Sequence, residues 1–196
     1  MTKIRAVRHG TKKDTIIQKA SALFRLKGFS ATSMRELADS MGVEAPSLYN
    51  HIGSKSEILQ AICFSIAEQF TSQLEKTEQE SVTGFLRIET VIRFHIRMML
   101  EHYDEVFVAN HEWKHLKEPY LGNFLNQRRQ YEKRLATWIE TGIRKKEFRV
   151  LNPYVAVLTV LSALRGLEFW LRHKRNISAV ELENDMVDLL LHGLIK

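Results

Sequence analysis

Apolar residues recur every three to four positions through most of this chain, and little interrupts them: its 196 residues include only 9 Gly and 3 Pro. In a helix interior glycine costs about 1 kcal/mol relative to alanine and proline about 3 kcal/mol, so a chain poor in both is free to run as helix almost throughout. A spacing of i, i+3, i+4, i+7 turns one face of each helix toward a core. No stretch shows the two-residue alternation of a half-buried strand. The expected fold class is all-α, with about nine helices.

Capping chemistry places the helix ends. A first helix is expected from about Lys12 to Lys27, with Ile16, Ile17, Ala20, Leu23 and Phe24 on one face and Gly28 ending it. Ser33-Met34-Arg35-Glu36 and Ser54-Lys55-Ser56-Glu57 read as capping boxes, in which serine and glutamate side chains satisfy the first free N–H groups. They open a short second helix and a fourth that runs to about Lys76. Between them the turn Met41-Gly42-Val43 leads into a third helix, about Ala45 to His51. Further helices are expected near 82–101, 104–117 and 120–146. Asn152-Pro153 then starts a strongly apolar helix to about His173, and Ser178-Ala179-Val180-Glu181 caps a last one ending near Leu194.

The placement of charge matters more than its total. Of a formal net charge of +6, residues 1–13 carry +5, from Lys3, Arg5, Arg8, Lys12 and Lys13 with no acid, which leaves +1 on the other 183 residues. A basic arm ahead of a first helix displaces counterions from nucleic-acid phosphates. The single cysteine, Cys63, excludes an internal disulfide framework and a cysteine-rich zinc site, and fits a reducing cytoplasm. No apolar run is expected to span a membrane, and the N-terminal MTKIRAVRHGTKKD lacks the apolar core of a signal peptide. No cofactor and no membrane partner are expected.

Residues 29–60, FSATSMRELADSMGVEAPSLYNHIGSKSEILQ, hold two short helices joined by a tight turn, which is the helix-turn-helix arrangement. Ala38 is small where the helices cross, and Gly42 tolerates a left-handed turn conformation that a side chain resists. Leu37, Val43 and Leu48 are placed to close a small core beneath the pair. Ala45, Pro46, Ser47 and Asn50 sit where a recognition helix meets base edges, asparagine suiting adenine and the apolar residues a thymine methyl. Tyr49 and His51 are suited to phosphate oxygens, and Lys55 stands beside a helix N-terminus, itself an anion site.

This stretch resembles the DNA-binding domain of TetR-family transcriptional repressors, over roughly residues 12–60, through "GFSATSMRELADSMGV" and "LYNHIGSKSEIL". The resemblance implies a DNA-binding domain at 1–53 and an effector-binding and dimerisation domain at 54–196. By position it implies that Arg35, Ala45, Pro46 and Ser47 face bases, while Ser33, Tyr49, His51 and Lys55 meet phosphates. The chain departs from many relatives at Ile52, where they have Phe, and at Glu44, where they have Ser or Thr. The partners so implied are a double-stranded, palindromic DNA operator, a second copy of the chain, and a small-molecule effector.

The last two expected helices carry more apolar surface than one small domain needs. Leu161, Leu164, Leu167, Trp170, Leu171, Met186, Leu189 and Leu190 are the candidates for a four-helix dimer interface. Residues 85–135 are dense in aromatics and methionine. From them Phe94, His95, Met98, Met99, Trp113, Tyr120, Phe124 and Arg128 are candidates for a largely apolar effector cavity with a few polar groups. The segment from His111 to Ala156 is also similar to the C-terminal domain of a TetR subgroup that regulates fatty-acid, steroid or aromatic-acid breakdown. Its members often sense coenzyme A thioesters, which makes an acyl-CoA a candidate effector. Lys146 stands in a turn where those relatives often have Gly.

One motif points elsewhere. Residues 111–115, HEWKH, fit H-E-x-x-H, in which two histidines on one helix face bind zinc and the glutamate acts as general base. A catalytic zinc needs a third protein ligand. Glu118 stands too near in sequence, and beyond it only Glu168 and His173 offer themselves. A zinc hydrolase is therefore the unfavoured alternative, with a helical adaptor lacking DNA binding as the other. The expectation is a regulator and not an enzyme, with no metal site.

Overall fold

Side-chain caps fix most of the helix starts in the computed structural model, which describes residues 11–80, 83–173 and 177–194. At Ser33 both arms of the expected capping box form: Oγ accepts from the Glu36 N–H at 3.1 Å, and the Glu36 carboxylate accepts from the Ser33 N–H at 2.8 Å. At Ser54 only the first arm forms, at 3.1 Å, and the Glu57 carboxylate reaches one residue further back to the Gly53 N–H at 2.8 Å. Asn152 and Ser178 cap as their sequences foretell. Thr11 adds a reciprocal box with Asp14 that the sequence reading did not use.

Ten helical segments result among the described residues: α1 Lys12–Lys27, α2 Met34–Met41, α3 Ala45–Tyr49, α4 Lys55–Gln79, α5 Gly84–Glu101, α6 Tyr103–His111, α7 Tyr120–Arg144, α8 Pro153–Arg165, α9 Leu167–His173 and α10 Ala179–His192. A single 3-10 turn, Trp113–His115, follows α6. The fold is all-α, as expected. Three of the expected basic residues, Lys3, Arg5 and Arg8, lie outside the described residues, whereas Lys12 and Lys13 form the exposed start of α1.

Two apolar clusters organise these helices. The first joins α1 to α4 around Phe24, Leu37, Leu48 and Ile58, all 1% exposed or less. Gly42 makes the α2–α3 turn at φ 66°, ψ 30°, with its N–H on the Asp39 carbonyl at 3.1 Å and that of Val43 on the Ala38 carbonyl at 3.1 Å. Val43 does not close the core as expected: it stands 38% exposed on the outside of the turn, and Ile52, 2% exposed, fills that role. This cluster also takes in Val108 of α6, Leu116 and Phe124 of α7, so its packing runs past residue 53. The second cluster packs α5, α7, α8 and α10 together.

Four other expectations are corrected. The helix expected over 104–117 stops at His111, where the chain tightens into i, i+3 bonds, His115 N–H to Glu112 O and Leu116 N–H to Trp113 O. The helix expected over 153–173 divides at Gly166, where the Phe169 N–H turns to the Gly166 carbonyl at 3.1 Å. Segment Pro153–Leu171 does reach the length and apolar character of a membrane span, with 19 residues of mean hydropathy 1.4. Part of its apolar surface is already used within the chain: Leu161, Leu164 and Leu167, expected at a dimer interface, are 2–7% exposed in the second core. The side chains left outward are Val155, Leu158 and Phe169, at 58–64% exposure, with Val180 and Leu189 of α10 at 70% and 73%.

The α7 C-terminus carries a strained residue. Lys146 takes φ 63°, the left-handed conformation that glycine enters freely and that costs an L side chain about 1–2 kcal/mol. Lys146→Gly, set against the greater unfolded-state freedom of glycine, is expected to stabilise the chain by about 0.5–1 kcal/mol and raise Tm by several degrees in a thermal melt.

Candidate nucleic-acid interface and effector cavity

The outer surface of α2 and α3 is a row of uncommitted polar groups. Arg35, Pro46, Ser47, Tyr49, Asn50 and His51 are all exposed, and Arg35 has no acidic partner among the described residues. Ala45 is half-buried against the first core, and the Ser33 hydroxyl is engaged in its cap. Lys27 holds the Glu36 carboxyl at a pKa of about 2, aided by Ser33, so that acid stays ionised and engaged behind the Arg35 face.

Lys55 is placed differently from its expected role. Its ammonium donates to the carbonyls of Phe29 at 2.7 Å, Thr32 at 2.7 Å and Ser30 at 3.3 Å, and lies 4.4 Å from the Phe29 ring centre. All three donors of the ammonium are therefore used on the α1–α2 loop. Lys55 positions that loop against the start of α4, and a phosphate would have to compete with three carbonyls for it.

Phe29 is where the helix-turn-helix unit meets the rest of the molecule. It is 8% exposed and edge-on to Phe24 at 5.2 Å; the His115 ring stacks on it, also at 5.2 Å. Its N–H donates to the Glu112 carboxylate at 3.1 Å. Nearby, Arg25 of α1 is ion-paired with Asp104 at the start of α6 and lies over the Tyr103 ring. Both ends of α6 are thus fastened to α1 or the loop after it.

These contacts account for HEWKH. His111 is the last residue of α6, Glu112 follows it, and His115 lies in the 3-10 turn, so the helix face that would aim two histidines at one zinc is not formed. His111 Nε2 lies 2.8 Å from Glu168 of α9, while His115 Nε2 lies 3.4 Å from Glu112. Among the described residues no group of three or more His, Cys, Asp or Glu is arranged to hold a metal. The side chain of His173 lies outside the described residues.

A cavity of about 90 Å³ opens between α4, α5, α6, α7 and α8. Four of the eight expected effector residues line it: His95, Met99, Phe124 and Arg128. The other four lie elsewhere: Met98 is core, Phe94 packs edge-on to Phe70, Trp113 lies under the Arg128 guanidinium, and Tyr120 is 43% exposed beside Phe64. Sequence reasoning missed Phe70 and Thr71 of α4, Tyr131 of α7 and Arg165 of α8 as wall residues. Tyr131 shows the available signal, since it lies three residues beyond Arg128 on the same helix face.

His95 Nε2 and Tyr131 Oη share a hydrogen bond of 2.7 Å, and Phe70 stacks on the His95 ring at 4.3 Å. Burial, with a smaller push from Arg165, lowers the His95 pKa to about 3, so the imidazole is neutral in the folded chain. Burial drives the Tyr131 phenol upward, keeping its proton. Burial likewise lowers the Arg128 pKa, again with Arg165 adding to the effect. A broader polar trough between α4 and α7 shares Thr71, Gln127 and Tyr131 with the cavity.

A helical pair with an outward polar face, fastened through one helix to a body that encloses an apolar cavity, is the build of a ligand-sensing DNA-binding regulator. Residues 16–62 match the family described as bacterial regulatory proteins, tetR family, and residues 86–194 match the tetracyclin repressor-like C-terminal domain. The chain belongs to the TetR family of bacterial transcriptional regulators. It is 20% identical over 193 residues to the HTH-type transcriptional repressor KstR2 of Mycobacterium tuberculosis, covering 95% of this chain and 94% of that one. Solved structures with the same fold include KstR2, with a TM-score of 0.88 at 19% identity and 97% coverage of each chain. Another is PfmR from Thermus thermophilus, with a TM-score of 0.80 at 28% identity over 92% of this chain and 99% of that one. A third is AibR in complex with isovaleryl coenzyme A and operator DNA, with a TM-score of 0.81 at 21% identity over 92% and 98%.

The buried histidine sets an acid limit on stability. The unfolded chain protonates His95 near pH 6.5 and the folded chain only near pH 3, so between those values the unfolded state holds the extra proton. Stability is therefore complete above pH 6.5 and is lost progressively as pH falls toward 3. Denaturant titrations at pH 7 and pH 5 are expected to differ by about 2 kcal/mol from this group, at 1.36 kcal/mol per pH unit. His95→Gln is expected to flatten that difference.

Proposed function

We propose that this chain represses transcription as a homodimer on a palindromic operator and is released by a small effector bound in the cavity. The observation that carries this is that α6 serves both sites. Val106, Ala109 and Asn110 form one wall of the cavity, while Asp104 and the residue after α6, Glu112, fasten the α1–α2 segment. α4 does the same, with Phe70 and Thr71 in the cavity wall and Lys55 on the Phe29 carbonyl. A guest that displaces either helix carries the recognition helix with it. Only a difference in the effector's affinity for the two spacings can drive release.

In this reading residues 1–53 form the DNA-binding domain, with the basic arm and the α2–α3 face toward DNA, and 54–196 the effector and dimer domain. Arg35, Ser47 and Asn50 meet base edges, with Ala45 and Pro46 at the apolar rim, and Ser33, Tyr49 and His51 meet phosphates. Lys55 contributes by holding the loop. Two copies join through the outward faces of α8, α9 and α10, where Val155, Leu158, Val180 and Leu189 stand exposed and Trp170, Leu171, Met186 and Leu190 are half-buried at their margins. A two-fold axis there sets two recognition helices about one DNA turn apart. The repressor name of KstR2 and the acyl thioester in AibR support repression and an acyl-CoA class of effector, whose acyl end suits the apolar walls. Family membership favours a cytoplasmic regulator without enzymatic activity.

Binding to the DNA upstream of its own gene should weaken about a thousandfold between 50 and 200 mM salt, followed by fluorescence anisotropy. A salt-insensitive affinity would sink the operator reading. Arg35→Ala and Asn50→Ala are each expected to cost about 1–3 kcal/mol at single base-pair positions, whereas Tyr49→Phe should weaken all sequences alike. Leu158→Asp is expected to give a monomer in sedimentation equilibrium; a variant that remains dimeric contradicts the α8 interface.

A further inference from the structure

Two of the cations that line the cavity lack a counter-ion. Arg128 and Arg165 make no ion pair and no hydrogen bond among the described residues. Glu132 also lines the cavity and attracts Arg128 from a distance, but is not in salt-bridge contact with it. By contrast Arg134, just outside, is bound at 2.6 Å to Glu78, and Arg93 at 2.8 Å to Glu89. Arg128 is flanked instead by the rings of Trp113 and Phe124, with its guanidinium 5.9 Å from each centre. Contact of this kind is favourable to the guanidinium but neutralises none of its charge and leaves its N–H groups without an acceptor. Burial, and after it the repulsion of Arg165, lowers the pKa of Arg128, and Arg165 adds to the burial that disfavours a proton on His95, so all three groups feel one another across the same space.

A cation held in apolar surroundings without a partner is unfavourable, and an anion arriving there restores the balance. We propose that the effector is an anion carried on an apolar body, with its negative group held by Arg165, joined by Arg128 where that group enters the cavity, and its body against Phe70, Met99 and Leu164. The His95–Tyr131 pair, neutral on both sides, lines the same cavity and offers a hydrogen bond without adding charge. This rests on the effector reading given above and assigns the effector's negative charge to named residues of the cavity. Two sources supply such an anion: the carboxylate of a free acid, or the phosphates of a carrier thioester such as coenzyme A, whose acyl end enters first. Arg128 is half-buried and Arg165 exposed, so a carboxylate inside the cavity uses both, whereas phosphates outside it reach Arg165 alone.

Calorimetry on the full-length protein separates these cases, using benzoate and 3-phenylpropionate against their neutral amides, and benzoyl-CoA. An acid or the thioester is expected to bind at least about tenfold tighter than the matching amide, the worth of one charge-assisted contact. For a free acid, Arg128→Gln and Arg165→Gln should each remove about that factor, and Arg128→Lys, which keeps charge and fold, should restore part of it. For a thioester, benzoyl-CoA outbinds benzoate and only Arg165→Gln weakens it. The proposal is overturned when neither acid nor thioester outbinds the amide, or when the preference survives both glutamine variants. Operator release is measured separately by anisotropy. If the neutral amides bind and dissociate the operator complex, the regulator reading stands and the anion assignment alone falls. If no operator binding is found, the calorimetry still reads the cavity.

Discussion

The carboxylate of Glu112, accepting from the Phe29 N–H, is the contact through which the two halves of this molecule know each other's position. Around it the chain builds a joint with few free parts: Lys55 on the Phe29 carbonyl, His115 on its ring, Phe24 on its edge. The N–H of Phe29 follows Gly28, whose φ of 85° turns the chain out of α1. A backbone amide in a sharp turn has no helical partner, and a buried one without a partner would cost about 1–3 kcal/mol. Glu112 satisfies it from a distant part of the chain. A requirement of local backbone chemistry thus becomes a link between sites far apart in sequence.

The same joint explains what a motif search made of HEWKH. The residue types are those of a zinc site, and their chemistry is used, but for carboxylate–imidazole and carboxylate–amide contacts that tie α6 to Phe29 on one side and to Glu168 of α9 on the other. α9 belongs to the apolar stretch proposed to meet the second subunit. A five-residue segment therefore touches the DNA-binding unit, the sensing cavity's helix and the margin of the proposed dimer face.

Much of this was legible from residues alone, and for identifiable reasons. Caps such as Ser33 with Glu36 and Asn152 before Pro153 are local, so sequence carries them in full. The helix-turn-helix unit depends on Gly42 and on short-range spacing, and it too was readable. Lys55 was misjudged because its partners are carbonyls some two dozen residues upstream, and no side-chain pattern records a free carbonyl. Leu161, Leu164 and Leu167 were misjudged because an apolar helix has two apolar faces here, one turned to its own core and one outward, and periodicity does not say which is which. The cavity was half legible: α7 announced itself through Phe124 and Arg128, but the α4 wall did not, since Phe70 reads as one more core residue until α5 and α7 are set opposite it.

The smallness of the cavity bears on how such a regulator measures concentration. The cavity is confined, at about 90 Å³ between five helices, so on the proposed reading the wall contacts that size it also govern how readily a ligand enters. Where a ligand-competent conformation is only fractionally populated, the affinity seen in solution is the intrinsic affinity scaled by that fraction. Contacts that hold the walls shut, among them the Phe70–His95 stack, act as a set-point. On the proposed reading they shift the effector level at which the operator is released without touching the DNA.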